Sequence, residues 1–306
     1  MTSATGPLYV PRTNEQAFAP PYRQAGCSLF AFPMPAERVK LQRIVDRYLA
    51  EPTGGRVQPR VDADHVLLYF CDFAQSQSHD PVDAGRGWLG ERECGLWIPL
   101  RVVGSTTPAF FTHAMFVDSG PAMCSGREVL GFPKEIGLLH IPRDPSEATN
   151  LSLAVLATAE ERRRPGRWQP LVELDRLESR ATSTASEDAM RWAELLGVAA
   201  RDGGPVRQAA RVLQALAQAG RGRADFYNLK QFRDCADPRR ACYQAVVRAR
   251  VELAAARHVA SAGEYAYRVH ACPSHPIAEE LGVPSEGRVR GLFLDVDFDF
   301  ECGEVL

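Results

Sequence analysis

Near the C-terminus, Leu292, Leu294, Val296, Phe298 and Phe300 alternate with Asp295, Asp297 and Asp299; upstream, Val247, Ala249, Val251 and Leu253 alternate with Arg248, Arg250 and Glu252. An extended chain sends successive side chains to opposite faces, so both stretches read as strands with one buried face. Between His65 and Asp175 further runs rich in Val, Leu, Ile and Phe are broken by Gly and Pro: Val66–Phe73, Cys94–Val103, Phe110–Val117, Leu138–Ile141, Leu151–Thr158 and Leu171–Leu174. A chain patterned this way reads as a β-rich domain. Two departures stand out. From Pro35 to Leu49, Leu41, Ile44, Val45 and Tyr48 recur at helical spacing, with Pro35 suited to the first turn. From about Ser183 to Ala219, Ser186 caps one helical pattern and Pro205 opens a second, which predicts a helical pair inserted into the β structure. Residues 1–24 read as a Pro-rich arm, and the Arg-rich stretch 161–167 as a solvated loop. The expectation is a single domain over residues 1–306 with a helical insertion at about 183–219.

With 306 residues and 45% hydrophobic content, the chain can bury a sizeable core. A formal net charge of -2 gives no basic field, so no nucleic-acid partner is expected. No apolar run of membrane-spanning length occurs, and the first residues are Pro-rich rather than a basic segment followed by an apolar one. A cytoplasmic protein with no membrane partner is expected. The cysteines, at 27, 71, 94, 124, 235, 242, 272 and 302, include no C-x-x-C pair, and His113, His270 and His275 lack metal-ligand spacing. Neither a metal nor a cofactor is predicted. Among 36 basic residues only Lys40, Lys134 and Lys230 are lysines. Arginine serves for surface charge but cannot be deprotonated to a nucleophilic amine, so these three are the candidates for amine chemistry.

The most informative segment is Gly126-Arg127-Glu128-Val129-Leu130-Gly131-Phe132-Pro133-Lys134-Glu135. It resembles the G-R-E-x-x-x-[FY]-P-K run of the acetoacetate decarboxylase superfamily, in which the lysine forms a Schiff base. The resemblance continues through Glu93-Cys94-Gly95-Leu96-Trp97-Ile98-Pro99-Leu100, through Ala114–Asp118 and through Tyr267–Pro276. It implies an α+β fold built on a mainly antiparallel, strongly curved β-barrel or cone with peripheral helices, and a homo-oligomer. Lys134 becomes the expected Schiff-base amine and Glu93 its acid/base partner. Arg127, Glu128, Phe132 and Glu135 become expected substrate-binding or site-supporting residues. Lys230 is the rival amine.

An ordinary lysine, with a pKa of about 10.4, is free amine in roughly one molecule in 2500 at neutral pH. Burial or a neighbouring cation lowers that pKa, acetoacetate decarboxylase being the known example of such activation. This chain departs from the decarboxylase pattern. Glu135 stands where those enzymes carry a second lysine; if the segment is extended, it faces away from Lys134 and desolvation must tune the amine. The family's earlier carboxylate falls near Phe70 or Cys71, neither a proton carrier, and Arg23 is the candidate for holding a substrate carboxylate. The resemblance implies a cofactor-independent, decarboxylase-like lyase whose partner is a small keto acid. The alternatives are an aldolase-dehydratase using pyruvate or a related keto acid through the same lysine, and a non-catalytic relative that binds a small ligand.

Overall fold

A computed structural model describes residues 7–144, 146–158, 165–177 and 222–306; the helical pair expected at 183–219 lies outside these residues, as does most of the Arg-rich stretch. The strands are β1 (Tyr22–Pro35), β2 (Pro59–Arg60), β3 (His65–Ser78), β4 (Trp88–Val102), β5 (Ala109–Val117), β6 (Lys134–His140), β7 (Asn150–Ala157), β8 (Arg167–Arg176), β9 (Gly222–Arg233), β10 (Ala241–Val269), β11 (Glu286–Phe300) and β12 (Glu304–Val305). Among the described residues three short helices accompany them: α1 (Arg38–Val45), α2 (Gly120–Ser125) and α3 (Ile277–Leu281). The expected helix start at Pro35 is corrected. Pro35 ends β1 and the helix begins three residues later.

Two strands fork, and the forks shape the molecule. Ala109–Phe111 of β5 pairs in parallel with β9, whereas Met115–Val117 pairs in parallel with the first residues of β6. β10 lies against β9 over Ala241–Leu253 and against β8 over Tyr265–Val269. At one end the ring β4-β3-β1-β11-β10-β9-β5 closes on itself through the β4–β5 pairing; at the other, β8, β7 and β6 take the place of β9. Lys134 begins β6 beside Met115, just past the point where β5 parts from β9. The ring's other pairings are antiparallel, giving a strongly curved, mostly antiparallel cone with few helices.

Alternation along the central strands feeds two apolar clusters. Leu29, Ala31, Leu67, Tyr69 and Cys71 pack with Met115, Phe132 and Phe226 on one face. Phe30, Phe32, Met34, Val66, Leu68 and Phe70 pack on the other, where Leu41, Val45 and Leu49 of the α1 segment and Ile277 and Leu281 of α3 cover them. Each such side chain contributes about 1.5–3 kcal/mol by leaving water. This double burial explains why β3 reads as a continuous apolar run rather than a clean alternation.

The acidic positions of β11 fall on the face away from the cavity. Asp297, nearly buried, accepts from the Gly26 amide and the Arg257 guanidinium, each at 2.8 Å, and from Arg23 at 3.3 Å. Arg23 also grips Asp299 at 3.0 Å. Arg23 thus stitches β1 to β11, which corrects its expected place as a substrate-carboxylate anchor. Removing the shared acceptor leaves the Gly26 amide without its partner, so Asp297→Ala should cost about 1–3 kcal/mol in urea unfolding. An unchanged midpoint would show that this seam contributes nothing to ring closure.

Candidate active site

β4 supplies the acids. Its residues Leu89, Glu91, Glu93 and Trp97, all at odd positions, line one cavity, while Arg92 points the other way and meets Asp72 at 3.2 Å. β1 adds Tyr22 and Gln24; a bulge containing Gly26, with φ 64°, then resets the alternation so that Cys27, Leu29 and Ala31 continue the inward face. Ser76 and Ser78 of β3, Phe226 of β9 and Phe300 of β11 complete much of the wall. The N-terminal arm closes on the same cavity. Phe18 lines it, donates its amide to Ser125 Oγ at 2.9 Å and lies under the Arg86 guanidinium at 4.5 Å.

The turn before β6 delivers the amine. Ser119 caps α2, its hydroxyl accepting from the Ala122 amide at 3.4 Å, and a wider turn over Gly126–Leu130 follows. Gly131 ends it in the left-handed region, φ 73°, and the Phe132 amide returns to the Gly126 carbonyl at 3.0 Å. The chain doubles back so closely that a β-carbon at Gly126 would sit 2.5 Å from Lys134 Cδ. Arg127 fixes this turn by donating to the Lys134 carbonyl at 3.0 Å.

Lys134 Nζ lies 2.8 Å from Glu93 Oε2 and 4.0 Å from Glu91 Oε1, all three side chains being buried. Tyr69 donates its hydroxyl to Glu93 Oε1 at 2.5 Å, and Gln24 Nε2 donates to Glu91 Oε1 at 3.2 Å. Burial pulls the Lys134 pKa down, but the Glu93 and Glu91 anions outweigh it and hold the ammonium above the ordinary lysine range. The expectation that desolvation alone tunes this amine is therefore corrected. Glu91 is pushed up to about 7, chiefly by burial, against the pull of the Lys134 ammonium and with the Glu93 anion adding to the rise. Aromatic rings enclose the group: Trp97 stacks on Tyr69 at 4.0 Å and meets Phe226 edge-on at 5.1 Å. The cavity volume is about 80 Å³, room for on the order of six water-sized groups.

The acetoacetate decarboxylase family model matches residues 5–187, more than half of the chain. The chain belongs to the acetoacetate decarboxylase family. Solved structures of that fold agree. Acetoacetate decarboxylase from Legionella pneumophila superposes with a TM-score of 0.58 at 16% identity, covering 98% of this chain and 92% of that one. An acetoacetate decarboxylase-like enzyme from Sphingomonas wittichii RW1 gives 0.55 at 14% identity, over 96% and 95%. The enduracididine biosynthesis enzyme MppR, in its complex with pyruvate, gives 0.53 at 13% identity, over 96% and 93%. No curated protein sequence matches this chain significantly.

Within this family frame, Lys134, Glu93 and Phe132 come together in the cavity. Arg127 supports Lys134 from behind through its carbonyl. Glu128 is exposed, outside the cavity wall. Glu135 is exposed too, facing away from Lys134 toward His275 Nε2 at 3.2 Å. Lys230 sits half-buried on β9, its ammonium 3.4 Å from the Val129 carbonyl and over the Phe232 and Tyr243 rings, and Lys40 pairs with Glu37 at 2.9 Å. Neither lines the cavity. His113 and His270 pair with Glu280 and Glu173 at 3.1 and 2.6 Å, and no metal-holding cluster occurs among the described residues. Sequence reasoning missed Glu91. It sought a second carboxylate on the preceding strand, where Cys71 lies opposite Glu93, although the i, i+2 spacing of Glu91-Arg92-Glu93 places both acids on one strand face.

Because Glu93 is the stronger of the two attractions on the ammonium, Glu93→Gln should move the pH profile of imine trapping at Lys134 to lower pH. Turnover should fall on the order of a hundredfold, as for loss of a general acid or base. A profile unmoved from the parent's would break the electrostatic coupling argued here.

Proposed function

We propose that this protein is a cofactor-independent Schiff-base lyase acting on a small keto acid through Lys134, with decarboxylation as its reaction. The observation that carries the reading is a buried amine hydrogen-bonded to a buried carboxylate in a small, aromatic-walled cavity. Glu93 takes one proton from the Lys134 ammonium, freeing the amine to add to the substrate ketone, and returns it to the carbinolamine oxygen. The balance is one ammonium plus one ketone giving one iminium plus water. A second N–H proton passes to the same oxygen as the carbinolamine forms, so that it leaves as water; nitrogen is positive before and after the step, and the Glu93 anion stabilises both the resting ammonium and the iminium. A β-keto acid bound this way loses carbon dioxide because the iminium accepts the electron pair of the broken carbon–carbon bond.

The aldolase-dehydratase alternative predicts products larger than the substrate rather than carbon dioxide. Incubation with borohydride should add at Lys134 the mass of reduced pyruvate or, from acetoacetate, that of the reduced ketone left after carbon dioxide is lost. Lys134→Arg, which keeps the charge but supplies no free amine, should abolish both the adduct and turnover while circular dichroism stays native. Equal trapping in the variant would remove Lys134 from the mechanism, and no adduct in the parent protein would leave a binding module.

A further inference from the structure

If the Schiff-base reading holds, on which this inference rests, an anionic substrate enters a cavity already lined by two carboxylates. Among the described residues, Lys134 is the cation that lines it, and that ammonium is engaged by Glu93 at 2.8 Å. Arg23 faces outward to Asp297 and Asp299. The inward neighbour on β1 is Gln24, which is 8% exposed and lines the cavity. Its Nε2 donates to Glu91, while its Oε1 is buried with no hydrogen-bond partner among the described residues. Trp97 Nε1, on the same wall, is equally buried and without a partner. Buried polar groups are seldom left so, and these two share a cavity with Glu91.

We propose that Gln24 and Glu91 together form the subsite for the substrate's carboxylate, which they receive as an anion accompanied by one proton carried on Glu91. A carboxylic acid donating to a carboxylate makes a short, charge-assisted hydrogen bond and adds no second negative charge to the pair. Gln24 Nε2 has a second N–H for the same anion, and Trp97 Nε1–H is a further neutral donor on that wall. The groups that act on Glu91 are the Glu93 anion beside it on β4, the Lys134 ammonium from β6 and Asp118 at the end of β5, while β1 brings the Gln24 amide and the neutral Tyr22 phenol to its side. Burial and the two anions outweigh Lys134, so Glu91 carries its proton up to about pH 7.

The same proton completes the reaction. When carbon dioxide leaves, the electron pair of the broken bond passes to the imine nitrogen and leaves an enamine. Glu91, hydrogen-bonded to the departing group, delivers its proton to the carbon that group vacated, regenerating an iminium. Water hydrolyses the iminium to the ketone and the Lys134 ammonium, and Glu91 takes a new proton from solvent. The net change is keto acid anion plus proton giving ketone plus carbon dioxide.

The test compares acetoacetate with methyl acetoacetate, and pyruvate with methyl pyruvate, by cyanoborohydride trapping at Lys134 between pH 6 and 8.5. Ionisation of Lys134 affects acid and ester alike, so the ratio of their half-saturating concentrations isolates the carboxylate subsite. That ratio should rise about tenfold per pH unit above pH 7 in the parent protein. It should become independent of pH in Glu91→Gln, and Gln24→Leu should raise it about tenfold at pH 6. A flat ratio in the parent, or esters preferred at every pH, overturns the subsite while leaving the Schiff base standing. No adduct from either member of a pair defeats the Schiff-base reading and this one with it.

Discussion

The contact between Lys134 Nζ and Glu93 Oε2, 2.8 Å long and shut away from water, is the constraint around which the rest of the site is arranged. Taking an ammonium and a carboxylate out of water costs several kcal/mol for each ion, and only close pairing with further hydrogen bonds offsets it. Tyr69 supplies one such bond to Glu93. The remaining geometry follows from holding those two groups together. β4 must keep Glu93 inward, the turn over Gly126–Leu130 must let the lysine stem pass over a residue without a side chain, and Arg127 must hold the strand start in place. The fork in β5 sets the start of β6 beside Met115, so Lys134 enters the cavity that Phe226 of β9 and Phe300 of β11 also wall.

The placement of charge separates this chain from the pattern its motif suggests. Glu135, in the place of the family's second lysine, lies on the outer face of β6 with His275, so its anion does not act across the cavity. Within the cavity the amine is surrounded by acid rather than by a second cation. Its resting state is accordingly an ammonium, and in the proposed reaction a proton must move along the Glu93 hydrogen bond before the amine can attack. Glu91, poised near neutrality at about 7, makes the proton content of the cavity sensitive to pH in the physiological range.

The strands whose apolar runs are bounded by Gly and Pro, such as Phe110–Val117 and Leu151–Thr158, were legible because composition and punctuation agreed. β1 was not. Its first residues, Arg23-Gln24-Ala25-Gly26, include a bulge that breaks the period, and its later residues are buried on both faces. β9 escaped notice because its cavity side and its exposed end, Gln231–Arg233, carry opposite textures within one strand. Lys134 and Glu93 were readable from motif and residue scarcity. Glu91 and Gln24 were not, because assigning them requires knowing which parity of each strand faces inward, and the bulge at Gly26 changes that parity within β1.

The scarcity of lysine makes the central claim open to direct observation. Protein labelled with 15N in its lysine side chains has only three such nitrogens, Lys40, Lys134 and Lys230. Mixed with pyruvate carrying 13C at its ketone carbon, it should show one nitrogen moving into the imine region with a one-bond carbon–nitrogen coupling. That signal should be the one missing from the spectrum of Lys134→Arg. Coupling at the Lys230 nitrogen, or three nitrogens unchanged at saturating keto acid, would contradict the account.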